Sequence, residues 1–128
     1  MLRTLIVLAV VATGASAALG ETLNSFRHAH GLPALHQSGP LQAMAQRHAR
    51  SMAARRSMDH ADFYTERGRA GARAENVAAG CASESCVMSL WADSSGHRAN
   101  MLLSDVRSYG LASVASGGTR YWCLVLGR

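Results

Sequence analysis

Apolar residues fall into a short leading run, two helix-spaced stretches, a mixed middle and two strand-like stretches at the end. Leu5 to Ala12 is a continuous apolar run. From Leu19 to about His30 the positions Leu19, Leu23 and Phe26 share one helical face. Gly31-Leu32-Pro33 ends that helix, because glycine suits a helix C-terminus and proline cannot continue one. Ser38-Gly39-Pro40 opens a second helix, with Ser38 as its cap. There Leu41, Met44, Ala45, His48 and Met52 repeat at three and four residues, while Gln42, Gln46, Arg47 and Arg50 take the other side. The stretch from Arg55 to Ala74 is polar and irregular, with a short helical turn expected around Asp62 to Arg69. Ala74 to Ala79 is apolar except at Glu75 and Asn76 and reads as a short strand. Ser83 to Asp93 predicts a third helix, capped by Ser83, with Val87, Leu90 and Trp91 facing inward. Gly96 interrupts the signal, and a short helix restarts over His97 to Leu103. Ser108 to Val114 and Arg120 to Leu126 are strand-like, joined by a hairpin turn at Ala115 to Thr119. Helices first and strands last predict an α+β domain in which helices cover an antiparallel sheet.

The leading run changes the domain count. Met1-Leu2-Arg3 is a short positive start, the apolar run is too short for a bilayer span of roughly 20 residues, and Ala15-Ser16-Ala17 is a small-x-small cleavage site. Residues 1–17 therefore read as a signal peptide, and 18–128 as a single mature domain. The expectation is export, to the periplasm or outside the cell, with membrane contact only during that passage. The expected state is a monomer.

All 13 basic residues are arginines, and the formal net charge is +5. The arginines are scattered, and aromatics are too few to alternate with them, so no stacking platform for nucleic-acid bases is present. The balance reads as a mildly basic surface. Three cysteines, Cys81, Cys86 and Cys123, follow the leader into an oxidising compartment. Cys81 with Cys86 would close a small loop, and Cys81 with Cys123 would tie that loop to the last strand. We take the first, though sequence leaves the pairing open. Cys123, in an apolar strand, then reads as a buried small hydrophobe. With no C-x-x-C pair, a thiolate zinc site has no support.

Glu75 is the chemical puzzle. A carboxylate in an apolar segment is costly to bury alone. A metal, a protonated histidine or backbone donors could offset that cost, and His60 and His97 are the natural partners. Two imidazoles and a carboxylate with an open position make a candidate set for a divalent ion, zinc first and copper second. The alternative is that Glu75 caps backbone amides while the histidines only hydrogen-bond. Trp91 reads as core. Asn100, one turn after His97, would orient the imidazole or hold a neighbouring loop. Ser94 and Ser95 have neither a G-x-S-x-G elbow nor in-line placement against His97, and no H-E-x-x-H is present. His28 and His30 do not face each other, His36 lies in a loop, and His48 reads as a satisfied core or boundary histidine.

With these residues placed, the chain resembles the bacterial branch of the CAP superfamily, which comprises cysteine-rich secretory proteins, antigen 5 and pathogenesis-related-1 proteins and is also called the SCP-like extracellular domain. The resemblance covers nearly all of 18–128. It rests on HGLPAL at 30–35, MDH at 58–60, AENVAAG at 74–80, W-x-x-S-x-G-H-R-A-N-M-L at 91–102 and YWCLVLG at 121–127. It implies an α-β-α sandwich and a cleft where His60, Glu75 and His97 match three of four family cleft residues. The fourth, a glutamate in many relatives, falls near Ser94 beside Asp93 and is missing here. The function expected from the resemblance is a secreted or periplasmic binding module, its cleft holding a divalent ion between His60, Glu75 and His97. Its partners would be a lipid or an envelope or host component. One alternative is a metal-dependent hydrolase of peptidase type, with Glu75 and His97 as candidate catalytic residues. The other is a lipid or sterol carrier.

Overall fold

The computed structural model describes residues 22–128. The leader expected at 1–17 and the expected helix start at Leu19 lie outside the described residues. Helix α1 (Leu23–Ala29) begins where Thr22 and Ser25 cap each other's backbone amides. It buries Leu23 and Phe26, and also Arg27. The Arg27 guanidinium donates to the carbonyls of Pro33, Met101 and Leu103, tying together three chain segments that have no ladder of their own. Helix α2 (Gly39–Arg55) starts at Ser38, whose hydroxyl accepts from the Leu41 amide, with Pro40 in the first turn where a missing N–H costs nothing. Its inward face is Leu41, Met44, Ala45, His48, Ala49, Met52 and Ala53, matching the periodicity. A single π-helical turn spans Phe63–Arg67, within the stretch expected to turn.

Strand β2 (Ala72–Ala79) is followed by α3 (Glu84–Ala92), capped by Ser83 as expected, and α4 (Ser95–Met101). On α3 the buried residues are Val87, Met88 and Trp91. Leu90, expected inward, is 43% exposed, which corrects that assignment. Positions 87, 88 and 91 form one helical face, and 90 falls beside it. Helix α4 begins two residues earlier than expected and takes Gly96 into its first turn. Strands β3 (Ser108–Ser116) and β4 (Thr119–Gly127) form a hairpin. Its two-residue turn, Gly117-Gly118, has φ of 57° and 80°, the positive values a type I′ turn requires.

The sheet order is β1-β3-β4-β2, where β1 (His36–Gln37) is a two-residue strand. His36, expected in a loop, instead pairs with Ser108, and β1 runs parallel to β3. The other pairings are antiparallel, so the sheet is mixed at one edge only. Two residues of pairing leave no sequence pattern to read. Strand β4 is central and buried from Tyr121 to Gly127. Its side chains alternate between two cores. Tyr121, Cys123 and Val125 meet α2, while Trp122, Leu124 and Leu126 meet Phe26, Val87, Met88, Trp91 and Met101. The architecture is the α-β-α sandwich expected from the sequence. Helix α2 comes close to β3 because Gly110 has no side chain: a Cβ there would overlap the backbone of Leu41 and Gln42. A bond between Cys81 and Cys86 closes the small loop before α3, and Cys123 stays a buried thiol.

Candidate functional site

Strand β2 lies at one edge of the sheet. Its side chains alternate, so Glu75 shares the α2 side with Val77, whereas Asn76 points to the layer of α3 and α4. That parity decides which groups Glu75 can reach. Helix α2 ends at Arg56 in the left-handed region, which turns the chain back across the sheet edge. Asp59 fixes this return. Its carboxylate takes two hydrogen bonds from Arg55, at 2.7 and 3.2 Å, one from the Ser57 hydroxyl and one from the Ala61 amide. The Arg55 guanidinium in particular holds the Asp59 carboxyl far below the usual carboxylate range. The next residue, His60, then reaches Glu75.

Glu75 is 5% exposed, and four donors surround it. Arg67 approaches with two prongs, Nε to Oε1 at 2.5 Å and Nη2 to Oε2 at 3.0 Å. His60 Nδ1 donates to Oε2 at 2.8 Å, and the Cys123 thiol donates to Oε1 at 3.6 Å. A carboxylate offers about four lone-pair positions, so this one is saturated. The offset demanded by burial comes mainly from Arg67, itself buried, whose two-pronged contact is the strongest geometry open to such a pair. Burial, first, and the Glu75 charge, second, push the Cys123 thiol well above its ordinary value, so it stays protonated and can donate.

The histidines have distinct settings. His60 is half-exposed, and its Nδ1–H is directed at Glu75. His48, buried on α2, places Nε2 2.7 Å from the Asp59 carbonyl and 4.0 Å from Glu75 Oε2. The carbonyl can only accept, so that nitrogen carries the proton. This satisfied histidine fits the expectation for His48, but nothing in the sequence pointed to its place beside Glu75. His97, on α4, puts Nδ1 3.0 Å from the Ser94 hydroxyl. Burial, first, and nearby His60, second, lower its pKa, so the neutral imidazole is favoured.

The Glu75–His60 pair borders a pocket of about 370 Å³ lined by His60, Phe63, Tyr64, Arg73, Ala74, Glu75 and Asn100. Asn100 donates to the Asn76 side chain at 3.0 Å and to the Glu75 carbonyl at 3.3 Å, and Asn76 donates to the His97 carbonyl at 2.9 Å. The two asparagines thus pin α4 to β2. Trp91, expected in the core, is fully buried and also donates to the Val77 carbonyl at 3.1 Å. A second cavity, about 470 Å³, lies between α2 and residues 61–70, and His48 and Arg67 are among its lining. Arg67 lines this larger cavity, and its partner Glu75 lines the smaller one.

A divalent ion shared by His60, Glu75 and His97 needs a carboxylate oxygen with a lone pair to give. Both oxygens are taken, so as arranged these residues do not fit an ion. Among the described residues, no three His, Cys, Asp or Glu side chains are grouped to hold a metal. Arg67 is the residue that sequence reasoning missed. In the sequence it is only one of a set of nearby arginines, and no local signal distinguishes it from Arg69 or Arg73.

The sequence model of the cysteine-rich secretory protein family matches residues 21–126. Comparison with curated proteins finds no match. Among solved structures, the chain is similar to an outer surface protein from Borrelia burgdorferi, with a TM-score of 0.69 and 16% identity over 83% of this chain and 86% of that one. It is also similar to an extracellular protein containing an SCP domain from Bacillus anthracis, with a TM-score of 0.63 and 23% identity over 80% of this chain and 37% of that one. A cysteine-rich secretory protein from Staphylococcus aureus gives a TM-score of 0.59 and 17% identity over 83% of this chain and 36% of that one. These likenesses carry the fold.

Proposed function

Because the chain belongs to the cysteine-rich secretory protein family, we propose that it is an exported binding module whose ligand docks in the pocket over the Glu75–His60 pair. The observation that carries this reading is the saturated carboxylate. All four of its hydrogen bonds are made within the protein, so Glu75 acts as a fixed base plate that sets the His60 ring. His60 lines this pocket together with the exposed Tyr64, Asn100 and Arg73, whose guanidinium is paired with Asp105. Planar polar groups and an exposed aromatic suit a hydrogen-bonding ligand, such as a saccharide or peptide part of an envelope or host component. Neither cavity is lined mainly by apolar side chains, so the lipid-carrier alternative has less support. The metal-hydrolase alternative needs Glu75 free to act as a base, and here Glu75 is bound on both oxygens. Export fits the family and the name of the Bacillus anthracis relative, an extracellular protein. Among the described residues no helix is long and apolar enough to cross a membrane.

The test is NMR titration of the 18–128 protein with soluble envelope saccharides and peptides, alongside the His60→Ala/Asn100→Ala variant. Saturable shifts clustered at residues 60–75 and 97–100, absent in the variant, are expected. Shifts that cluster elsewhere, turnover of a peptide or ester panel, or a stoichiometric lipid carried through purification would overturn the reading.

A further inference from the structure

We propose that the larger cavity, about 470 Å³ between α2 and residues 61–70, is a second binding site, and that it takes a short peptide with both termini free. The argument begins with two buried side chains that are each satisfied on one side only. Arg67 is 7% exposed. Its Nε and Nη2 donate to Glu75, and Nη1 has no hydrogen-bond partner among the described residues. His48 is 4% exposed. Its Nε2–H goes to the Asp59 carbonyl, and Nδ1 has no hydrogen-bond partner among the described residues. Every fully buried side-chain nitrogen and oxygen among those residues is hydrogen-bonded. The two unpartnered nitrogens are therefore not sealed inside the protein, and the space that both residues line is this cavity. They are also neighbours, because Arg67 Nη2 lies 3.0 Å and His48 Nε2 4.0 Å from the same Glu75 oxygen. A neutral imidazole whose Nε2 carries the proton accepts at Nδ1, so the floor offers a donor beside an acceptor. One residue of an extended peptide presents the complement, its C=O and N–H on the same side.

Charge at the rim selects the termini. Arg47 on α2, and Asp62 and Glu66 on the facing segment, are exposed and line the same cavity. Among the described residues none of the three is in an ion pair, whereas Arg55 on the same wall is held by Asp59 through two hydrogen bonds. A purely anionic guest would meet Asp62 and Glu66, and a purely cationic one would meet Arg47. A guest with a carboxylate at one end and an ammonium at the other leaves neither sign opposed. Met44, Ala61 and Ala70 add apolar surface suited to small side chains. The volume lies within the roughly 300–1,000 Å³ of ordinary ligand sites. The cavity shares no lining residue with the pocket over the Glu75–His60 pair, so this proposal holds whichever ligand that pocket takes.

NMR titration of the 18–128 protein with trialanine tests it, alongside N-acetyl-trialanine, which lacks the ammonium, and trialanine amide, which lacks the carboxylate. Trialanine is expected to give saturable shifts clustered at residues 44–55 and 61–70. Each blocked peptide should bind about tenfold more weakly or worse. Arg47→Gln should bind trialanine and its amide alike, and Asp62→Asn/Glu66→Gln should bind trialanine and its acetylated form alike. These side chains are exposed, and asparagine suits the left-handed φ of 62° at position 62, so the fold is kept. The His60→Ala/Asn100→Ala variant should bind trialanine as wild type does, which separates this site from the smaller pocket. No saturable shifts up to about 10 mM peptide, blocked peptides that bind wild type as tightly as the free one, or binding lost in His60→Ala/Asn100→Ala would each overturn the proposal.

Discussion

Replacing Glu75 with glutamine tests the central pair directly. The Glu75 side chain is 1% exposed and that of Arg67 8%, so little water can reach a guanidinium whose partner has been neutralised. Glutamine also keeps only one acceptor oxygen for four donors: two from Arg67, one from His60 and one from Cys123. Its new NH₂ group would face donors. Breaking a buried ion pair from one side costs about 3–5 kcal/mol. Folded domains hold only about 5–15 kcal/mol in total. At about 4 °C per kcal/mol for a domain of this size, Glu75→Gln should melt roughly 12–20 °C below wild type. Arg67→Met/Glu75→Gln removes the stranded charge together with its partner. It should recover roughly 2–3 kcal/mol relative to the sum of the single losses, a coupling at the upper end for residues in contact. Urea unfolding in chelator-containing buffer measures this, followed by fluorescence of the buried Trp91 and Trp122. A loss below about 1 kcal/mol for Glu75→Gln, or strictly additive losses in the double variant, would refute the claim that Arg67 neutralises Glu75.

Burial and His60 hold the folded-state pKa of His97 below its ordinary 6.5. The unfolded chain therefore takes up that proton first as pH falls, so the contribution of His97 is complete above about pH 6.5 and is lost below it. His97→Gln should flatten the change in urea midpoint between pH 8 and pH 5.5, and an unchanged slope would contradict the assignment. Gly110→Ala places a methyl group against the backbone of Leu41 and Gln42. It should cost about 3 kcal/mol or more, read as a lower melting midpoint, and a midpoint within 2–3 °C of wild type (less than about 1 kcal/mol) would show that α2 does not rest on β3 as described. Reducing Cys81–Cys86, or replacing Cys86 with serine, frees a small loop whose closure is worth about 2 kcal/mol. Equal urea midpoints for the oxidised and reduced protein would refute that.

How far sequence reasoning reaches depends on how local each signal is. Ser38, Pro40 and the Leu41–Met52 repeat define α2 within one stretch of chain, and the helix lies where they put it. The apolar C-terminal runs likewise foretell the β3–β4 hairpin, and the spacing of Cys81 and Cys86 favours the bond that is present. Failures come where partners are distant or elements very short. Strand β1 is two residues long, and its pairing depends on where Ser108 and Tyr109 arrive. Leu90 counts as inward on hydrophobicity alone, though Met88 holds the core position on α3.

Arg67 is the instructive omission. Burial of Glu75 demands compensation, yet the sequence offers metal, histidine and backbone as candidates without singling out an arginine. Arg67 comes from an irregular stretch eight residues before Glu75 in sequence, where no periodicity says which way a side chain points. Strand parity held part of the answer. Glu75 and Val77 face α2, so the partners of Glu75 come from that side of the sheet: His48 on α2, His60 and Arg67 on the chain leaving it, and Cys123 on β4. Asn76 faces the other way and engages Asn100 and the His97 backbone. His60 and His97 are nonetheless close enough for the charge of one to act on the other, although they come from different parts of the chain. Beside the His60, Glu75 and His97 read from the motifs, the structure thus adds Arg67 as the charge partner of Glu75 and two asparagines that tie α4 to the edge strand.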